Sequence, residues 1–228
     1  MKTSRVFLTL SALIFSISVG APAWAKKDLP EVNDEGMVLV ENSELASVYA
    51  DPGADLGVYK RFILLDATVS FKKNWKRDQN FPNPLKVKDS DMVKIQEDVA
   101  DLFREVFTKE LIDGGYAMAD EPGPDVLLIK PAIVDLDIEA PDIPSSTRTY
   151  SYSRSAGEMT LNLELYDSLT DDKIVKATDR KKDPDYMRME WRTSVSNRSD
   201  AKRMMTAWAK ALRDLLDEAR KSTSPSGG

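Results

Sequence analysis

Residues 159–179, MTLNLELYDSLTDDKIVKATD, carry the pattern that decides the fold. Met159, Leu161, Leu163 and Leu165 alternate with polar residues, which is the period of a strand with one buried face and one solvent-facing face. The Asp-Ser-Leu-Thr-Asp-Asp that follows is rich in turn-forming residues, so the chain is expected to reverse into a second strand. The stretch therefore predicts a β-hairpin whose apolar face needs a covering layer.

Two amphipathic helices are predicted to form that layer. The first is expected to begin with Ser90 or Asp91 as its N-cap and to end at Gly114-Gly115, where a C-cap needs a positive φ. The second is expected to begin at Ser199, after a polar stretch at 180–197 that has no stable period. Each helix carries an apolar stripe at helical spacing: Met92, Ile95, Val99, Leu102, Val106 and Ile112, widened by Phe103, Phe107 and Leu111, in the first, and Met205, Trp208, Leu212, Leu215, Leu216 and Ala219 in the second.

Two further long strands are predicted at 62–71 and 125–139. Pro131 cannot donate a hydrogen bond to a neighbouring strand, so it marks an edge or a bulge. This order of elements is typical of an α+β two-layer sandwich, with a mostly antiparallel sheet of about 4–6 strands and two main helices packed on one face. One parity of each strand is apolar along its length: Ile63, Leu65, Ala67, Val69 and Phe71 in the first, and Val126, Leu128, Ala132, Val134, Leu136 and Ile138 in the second. The opposite parity is apolar only in the first half, so each strand is expected to begin buried on both faces and to end buried on one.

The first 25 residues have the composition of a secretory signal peptide. Lys2 and Arg5 precede an apolar run at 6–19, which is shorter than the roughly 20 residues of a membrane-spanning helix. Ala23-Trp24-Ala25 fits a cleavage site, so we expect cleavage after Ala25 and a periplasmic product. The remaining chain is divided into an N-terminal arm at 26–57, a single domain at 58–220 and a disordered tail at 221–228.

The composition excludes several classes of function. The chain has no cysteine and no histidine, and its net charge is −6. Ser-His-Asp and Cys-His catalysis and the usual zinc ligand sets are therefore impossible, and an acidic exported protein is a poor candidate for binding nucleic acid. We expect no metal, no cofactor and no catalytic residue of these types.

Several short motifs resemble the DUF3313 family of bacterial envelope proteins. They include Val48-Tyr-Ala-Asp-Pro-Gly-Ala-Asp55, Phe71-Lys-Lys-Asn-Trp75, Gly114-Gly-Tyr116 and Leu165-Tyr-Asp-Ser-Leu-Thr-Asp171, and the resemblance covers roughly residues 35 to 218. It implies an envelope setting and no particular activity. Many members look like lipoproteins, but this chain lacks the cysteine that would carry a lipid, which favours a soluble periplasmic protein.

Acidic side chains form one candidate site. Asp135, Asp137 and Glu139 have the same parity in a predicted strand, and could bind calcium or form half of an acid/base pair with Asp66. The alternative is a solvated strand face that discourages edge pairing. The pattern favours this alternative, because nothing supplies a second cluster of ligands.

Two other segments are candidate docking surfaces. The first is a basic segment made of Lys72, Lys73, Trp75, Lys76 and Arg77. It could dock on anionic lipid or cell-wall polymers, or it could be a strand end with Trp75 packed onto the core.

Arg148, Tyr150, Tyr152 and Arg154 have the composition of a partner-binding patch, because tyrosine and arginine are enriched among interface anchors. An ordinary edge strand would show the same residues.

Together these features predict an exported envelope protein, most simply a non-enzymatic periplasmic domain that binds or scaffolds another envelope protein, a cell-wall polymer or an anionic membrane surface. The alternative is a carboxylate-dependent hydrolase of cell-wall glycans, which needs two acidic groups facing each other across a cleft.

Overall fold

A computed structural model describes residues 29–81, 86–142, 151–153, 155–184 and 190–223. The predicted signal peptide, Arg148, Tyr150, Arg154 and most of the predicted tail lie outside these residues. In the described part of the chain, no helix has both the length and the apolar character needed to cross a membrane.

The described residues form ten strands and three α-helices. The strands are β1 (Val38–Leu39), β2 (Ser47–Ala50), β3 (Arg61–Leu64), β4 (Thr68–Phe71), β5 (Ala117–Met118), β6 (Val126–Ile138), β7 (Ser151–Ser153), β8 (Gly157–Asp167), β9 (Lys173–Lys182) and β10 (Glu190–Arg192). The helices are α1 (Trp75–Asn80), α2 (Asp89–Asp113) and α3 (Ser194–Thr223), and a single 3-10 turn covers Leu56–Val58.

The predicted α+β class is confirmed, but the predicted sheet was too small and too uniform. Eight strands form one sheet in the order β1-β2-β9-β8-β6-β3-β5, with β4 also paired to β6. The pairs of β6 with β3 and β4 are parallel, so the sheet is mixed. The edge strands β1 and β5 have two residues each. They lie within the short apolar segments at 37–40 and 116–119, which the sequence offers as minor strands. Parallel pairing arises because α1 and α2 carry the chain back before β6 begins.

The hairpin at 159–179 is confirmed as the antiparallel pair of β8 and β9, in which Leu163 lies opposite Ala177. Its turn is held by the carboxylate of Asp167, which accepts hydrogen bonds from the backbone N–H groups of Leu169 (2.8 Å) and Thr170 (2.9 Å). The alternating leucines of β8 are buried, and its polar residues face outward, as their period predicts.

Both of the other long strands change their buried face partway along, which the sequence did not reveal. Instead of one strand at 62–71, the chain forms β3 and β4, and the buried residues change parity between Leu64 and Ala67. In β6 the buried residues are Val126, Leu127, Ile129, Pro131 and Ile133, and then Leu136. The first half of each strand was expected to be buried on both faces, whereas only one parity is fully buried in β3 and, after Val126, in β6.

A β-bulge causes the change in β6. Asp135 has a φ of 50°, and the register of β6 shifts between Val134 and Asp137 against β8. One extra residue in a strand moves every later side chain to the opposite face. The bulge therefore leaves Asp135 exposed and turns Leu136 into the core.

Pro131 lies beside the break between β3 and β4, in agreement with the prediction of an edge or a bulge. The carbonyl oxygen of Ile129 accepts a hydrogen bond from the Leu65 N–H at 3.0 Å, so this side of β6 faces β3. Pro131 is two residues further on, so its backbone nitrogen, which carries no hydrogen, points to the same side. The strand opposite is interrupted there, and no ladder bond is lost.

The helices differ from the expected ones mainly at their ends. Lys88, rather than Ser90 or Asp91, is the N-cap of α2, and its N–H donates to the Asp91 carboxylate at 2.8 Å. Ile112 is 50% exposed, because the last turn directs Leu111 inward instead. Gly115 has the expected positive φ, at 84°.

The last helix begins at Ser194 instead of Ser199. In the first turn, the side chains of Thr193 and Ser196 each accept a hydrogen bond from the backbone of the other residue. The Thr193 N–H donates to Ser196 Oγ (2.9 Å) and the Ser196 N–H donates to Thr193 Oγ1 (3.1 Å). This reciprocal pair is a capping arrangement, placed inside the stretch that showed no period.

One core joins the inner face of the sheet to α2 and α3. Phe103, Phe107 and Leu111 of α2 and Met205 and Trp208 of α3 are fully buried in it. The core also holds Asp179 of β9, whose carboxylate accepts hydrogen bonds from Trp208 Nε1 (2.7 Å) and the Ala46 N–H (3.0 Å). These bonds compensate for burying the charge and link α3 to the sheet.

Candidate binding groove

A groove of about 260 Å³ opens at one end of the core, between the N-terminal halves of α2 and α3. Its floor is the last part of β6 and the beginning of β8. Most of its lining is apolar: Ile95, Val99, Leu102, Leu136, Ile138, Pro141, Ala156, Met159, Ala201 and Met204. A concave apolar surface with a few polar groups is the common form of a binding site.

Gly157 allows the two strands of the floor to lie close together. Its φ is +124°, and a Cβ atom there would be 1.8 Å from the carbonyl oxygen of Asp137. Glycine alone fits this conformation and this contact without displacing the backbone, because it has no Cβ atom. The floor of the groove therefore depends on a glycine at this position.

Helix α1 supports the floor from behind. Trp75 Nε1 and Gln79 Nε2 both donate to the carbonyl oxygen of Ile138, at 3.1 and 3.0 Å. The Trp75 ring also stacks on Phe71, with 4.3 Å between centroids. These contacts fix the last residues of β6 where they line the groove.

Asn197, in the first turns of α3, carries the polar group of the groove wall. Its Nδ2 donates to the carbonyl oxygen of Ala140 at 3.1 Å. Its Oδ1 is buried and has no hydrogen-bond partner among the described residues. A buried acceptor without a donor costs free energy.

Charged side chains surround the mouth of the groove. Asp98 pairs with Lys94 at 3.1 Å, and Arg198 pairs with Glu105 at 2.7 Å. At the outer end of the floor, Lys72 bridges Asp137 (2.6 Å) and Glu158 (3.4 Å).

Glu158 is held as an anion in this charged rim. Arg180 pairs with its carboxylate at 2.5 Å. The hydrogen bond from Arg180, helped by Lys72, lowers the pKa of Glu158, because nearby positive charge favours the ionised carboxyl group.

The basic segment predicted for surface docking divides into a buried and an exposed part. Trp75 is 3% exposed, as the core-packing alternative expected, so its indole cannot reach a membrane or polymer surface. Lys76 pairs with Asp89 (2.6 Å) and Arg77 with Asp78 (2.9 Å), while Lys73 is exposed. Docking through the cations of this segment stays a prediction.

The predicted Tyr/Arg patch is only partly within the described residues. Arg148, Tyr150 and Arg154 lie outside them, and Tyr152 is placed by its backbone, which pairs with Trp191 across β7 and β10. These two strands form a small sheet separate from the main one, so β7 does not simply continue into the hairpin. The binding role of this patch stays a prediction.

Two of the acidic residues proposed as a catalytic or calcium site, Asp66 and Asp137, are bound to cations. Arg104 donates to the Asp66 carboxylate through Nε at 3.1 Å, and Lys72 pairs with Asp137. Across the described ranges, no group of three or more acidic side chains could hold a metal ion. The solvated strand face that the sequence favoured over a metal or catalytic site stays a prediction.

Sequence reasoning missed the groove itself. Val99, Leu102 and Met159 were identified as apolar, but as core residues in separate elements. Asn197 lies in a stretch with no recognisable pattern, and no sequence signal could have placed it beside Met159. Only the capping pair at Thr193 and Ser196, three residues apart, was detectable as a helix start.

Comparison with known proteins places the chain by its sequence. The model of DUF3313, a protein family of unknown function, matches residues 36–212. No curated protein matches the chain.

Among solved structures, the chain is similar to the PelC dodecamer of Paraburkholderia phytofirmans, with 11% identity over 73% of this chain and 96% of that one and a TM-score of 0.36. It is also similar to a minor lipoprotein of Acinetobacter baumannii, with 11% identity over 72% and 96% and a TM-score of 0.35. A DUF330 protein of Xanthomonas campestris has 13% identity over 76% and 94%, with a TM-score of 0.39. These distant similarities carry no argument about activity.

Proposed function

The chain belongs to the DUF3313 family, and from this premise we propose that it is an exported bacterial envelope protein that binds another envelope component without catalysing a reaction. The predicted signal peptide supports export to the periplasm. The binding site in this proposal is the groove between α2 and α3.

The observation that carries the proposal is the chemistry of the groove lining. Its walls are apolar side chains from two helices, and its charged groups lie at the mouth, where Asp98 and Glu158 each have a cationic partner. Apolar surface in a concave site favours association by the hydrophobic effect. Groups poised for acid/base chemistry, by contrast, are usually held with a raised or matched pKa, whereas the pKa of Glu158 is lowered.

The glycan-hydrolase alternative has no observation in its favour. It requires two carboxyl groups about 5–9.5 Å apart across a cleft. Asp66 instead accepts hydrogen bonds from Arg104 of α2, and Asp137 from Lys72. Each of these carboxylates therefore serves an ion pair.

Site-specific photo-cross-linking in intact cells tests the proposal. A benzophenone amino acid replaces Ala201, which lines the groove, or Ala207, which is exposed on the same helix. We expect a discrete cross-linked partner from position 201 and none from position 207, in a Gram-negative host that exports the full-length chain. Equal yields from both positions, or no product from either, would contradict binding through the groove.

The mass of the protein recovered from the periplasm of the same cells tests its location. We expect a mature form that begins at Lys26. Recovery of the uncleaved chain in the cytoplasm would contradict export, independently of the cross-linking result.

A further inference from the structure

We propose that the outward side of α1 is a membrane-docking surface, in which the ring of Phe81 inserts into a bilayer and the ammonium groups of Lys73, Lys86 and Lys88 contact the phosphates of anionic phospholipids. This surface is separate from the groove, and the inference does not depend on the proposed function. Its support comes from the exposure of Phe81, from the cations around it and from the contacts that hold both in place.

Phe81 directly follows α1 and projects into solvent. It is 81% exposed, which is the highest value among the large hydrophobic side chains of the described residues. An apolar ring in this position gains free energy when a nonpolar environment removes it from water. Single exposed hydrophobic side chains are common on protein surfaces, so the surroundings of the ring decide what it can bind.

Helix α1 is fixed to the body of the protein with the Phe81 side outward. Trp75 and Gln79 are four residues apart on its inward side, where both donate to the carbonyl oxygen of Ile138. Residues four apart share a side of a helix, and Arg77 and Phe81 form the opposite pair. The Arg77 side chain is 71% exposed, in agreement with this orientation. The ring therefore has a rigid support and points away from the core.

The chain that returns towards α2 is tied to the end of α1 and brings a cation to the ring. Asn80 Oδ1 accepts a hydrogen bond from the Val87 N–H at 2.6 Å, and Asn80 Nδ2 donates to the Val87 carbonyl oxygen at 3.2 Å. Val87 is buried, whereas Lys86 and Lys88 on either side of it are exposed. Lys86 Nζ donates to the carbonyl oxygen of Asn80 at 2.5 Å. That carbonyl belongs to the peptide group that leads into Phe81, so the ammonium group lies beside the base of the ring.

Three cations of this surface are available to an anionic partner. Lys73, Lys86 and Lys88 are exposed, and none of them forms an ion pair within the part of the chain that the structure describes. The other cations of α1 are paired with neighbouring aspartates, so the surface does not depend on them. Positions 72–91 contain six lysine or arginine residues and three aspartates, whereas the whole chain has a net charge of −6. Positive charge is therefore concentrated around Phe81.

A bilayer that contains anionic lipid matches both features of the surface. Each lysine close to such a bilayer strengthens binding about fivefold, and the boundary between head groups and acyl chains accepts an apolar side chain. A soluble anionic polymer would pair with the lysines but would leave the ring in water. An acidic protein would need a preformed pocket for the ring, whereas a fluid bilayer opens around it.

Sedimentation with lipid vesicles tests the inference on the mature protein that begins at Lys26. One set of vesicles is phosphatidylcholine alone, and the other contains about one third phosphatidylglycerol. We expect the protein to sediment with the anionic vesicles only. In about 1 M NaCl the binding should decrease strongly, because salt screens the lysines.

Removing the cations beside the ring tests their role. The double variant Lys86→Gln/Lys88→Gln should bind anionic vesicles about tenfold more weakly or less. Its control is Lys210→Gln/Lys221→Gln, which removes the same charge from two exposed lysines of α3 and should bind as the wild type does. Circular dichroism melts confirm that both variants are folded.

A fluorescent label tests whether the ring position enters the bilayer. The chain has no cysteine, so Phe81→Cys creates a single attachment site for nitrobenzoxadiazole, whose emission increases in an apolar environment. We expect its emission to rise severalfold and to shift to shorter wavelength when anionic vesicles are added. The same label on Leu169→Cys is the control, because Leu169 is 59% exposed in the turn between β8 and β9 and should stay in water.

The outcomes decide the inference without reference to the groove. No sedimentation with anionic vesicles, equal binding of the two double lysine variants, or unchanged emission from position 81 would overturn membrane docking through this surface. If polyphosphate binds through Lys86 and Lys88 while the label at position 81 stays in water, the partner is a soluble anionic polymer and the bilayer is wrong. Cross-linking from position 201 is unaffected by each of these results, so the proposed function and this inference can fail separately.

Discussion

Leu163 lies near the middle of β8 and is 2% exposed, inside the core shared by the sheet and the long helices. Its neighbour Asn162 points to the opposite, solvent-facing side, where its Oδ1 accepts a hydrogen bond from Thr178 at 3.0 Å. Two adjacent positions of one strand thus have opposite environments. The period of the sequence predicted this difference correctly, because no bulge intervenes between Met159 and Leu165.

Leu163→Asp should therefore destabilise the protein by about 4 kcal/mol or more, since it buries a charge without a partner. We expect little or no folded protein at 37 °C by circular dichroism. The matched variant Asn162→Asp keeps the acceptor for Thr178 and should melt within a few degrees of wild type. A wild-type melting temperature for Leu163→Asp would mean that the inward face of β8 is wrongly assigned.

Asp179 shows the limit of such reasoning for single residues. Its parity places it on the inner face of β9, where sequence patterns would favour an apolar side chain. It is tolerated there because Trp208 Nε1 and the Ala46 N–H donate to it. These donors are 29 and 133 residues away in the sequence. Lys181, two residues along β9, also pairs with the carboxylate at 3.2 Å, so the local sequence indicates the ion pair but not the two distant donors.

At the scale of secondary-structure elements, the bulge in β6 has the largest consequence. It reverses the parity of the strand at Asp135, and the break between β3 and β4 reverses the parity of the neighbouring chain in the same way. Each strand has apolar residues at both parities in its first half, so the sequence could not show which set was buried. The choice depends on how the adjacent strands pair.

The bulge at Asp135 can be tested by substitution, because the φ of 50° at this position restricts which residues fit. Asp135→Val should destabilise the protein by about 1–2 kcal/mol, because a β-branched side chain is strained in the left-handed region. Asp135→Gly should stay within about 1 kcal/mol of wild type, since glycine adopts this conformation freely. Urea unfolding measures both. Equal stability of the two variants would contradict a bulge at this residue.

The first turns of α3 have the clearest functional consequence among the elements. They contribute Asn197, Arg198 and Ala201 to the groove, and the first two lie before or beside the predicted helix start at Ser199. A helix that began at Ser199 would leave one wall of the groove incomplete. The capping pair of Thr193 and Ser196 is therefore part of what forms the site.

At the scale of the whole molecule, ion pairs on the sheet and between α2 and α3 depend on pH. The pKa of Glu158 is lowered, chiefly by Arg180. The pKa values of Glu35, Glu105 and Asp125 are lowered as well, by Lys176, Lys202 and Arg61 respectively. A carboxyl group whose pKa is lower in the folded state stabilises that state above its unfolded pKa, and the contribution is lost as the pH falls through the folded value.

The free energy of unfolding should therefore be constant near neutral pH and decrease as the pH falls below about 4.3. Glu158→Gln should lower stability at pH 7 and reduce the slope of this acid limb. Below the folded pKa of Glu158, where its carboxyl group is protonated, the variant and the wild type should be equally stable. Urea unfolding across this range measures the effect, and an unchanged slope in the variant would contradict a stabilising Glu158–Arg180 pair.

The sequence by itself determined the α+β class, the hairpin of β8 and β9, the two long helices, the family and the absence of histidine and cysteine chemistry. These follow from local periodicity and composition, which act over a few residues. The tertiary structure alone decided that the sheet is mixed, that β3–β4 and β6 reverse their buried faces, and that Val99, Met159, Asn197 and Ala201 meet in one groove. Their meeting depends on contacts between distant parts of the chain, on the positive φ of Asp135 and on Gly157, which lies too close to Asp137 for any side chain. None of these features produces a periodic pattern in the sequence.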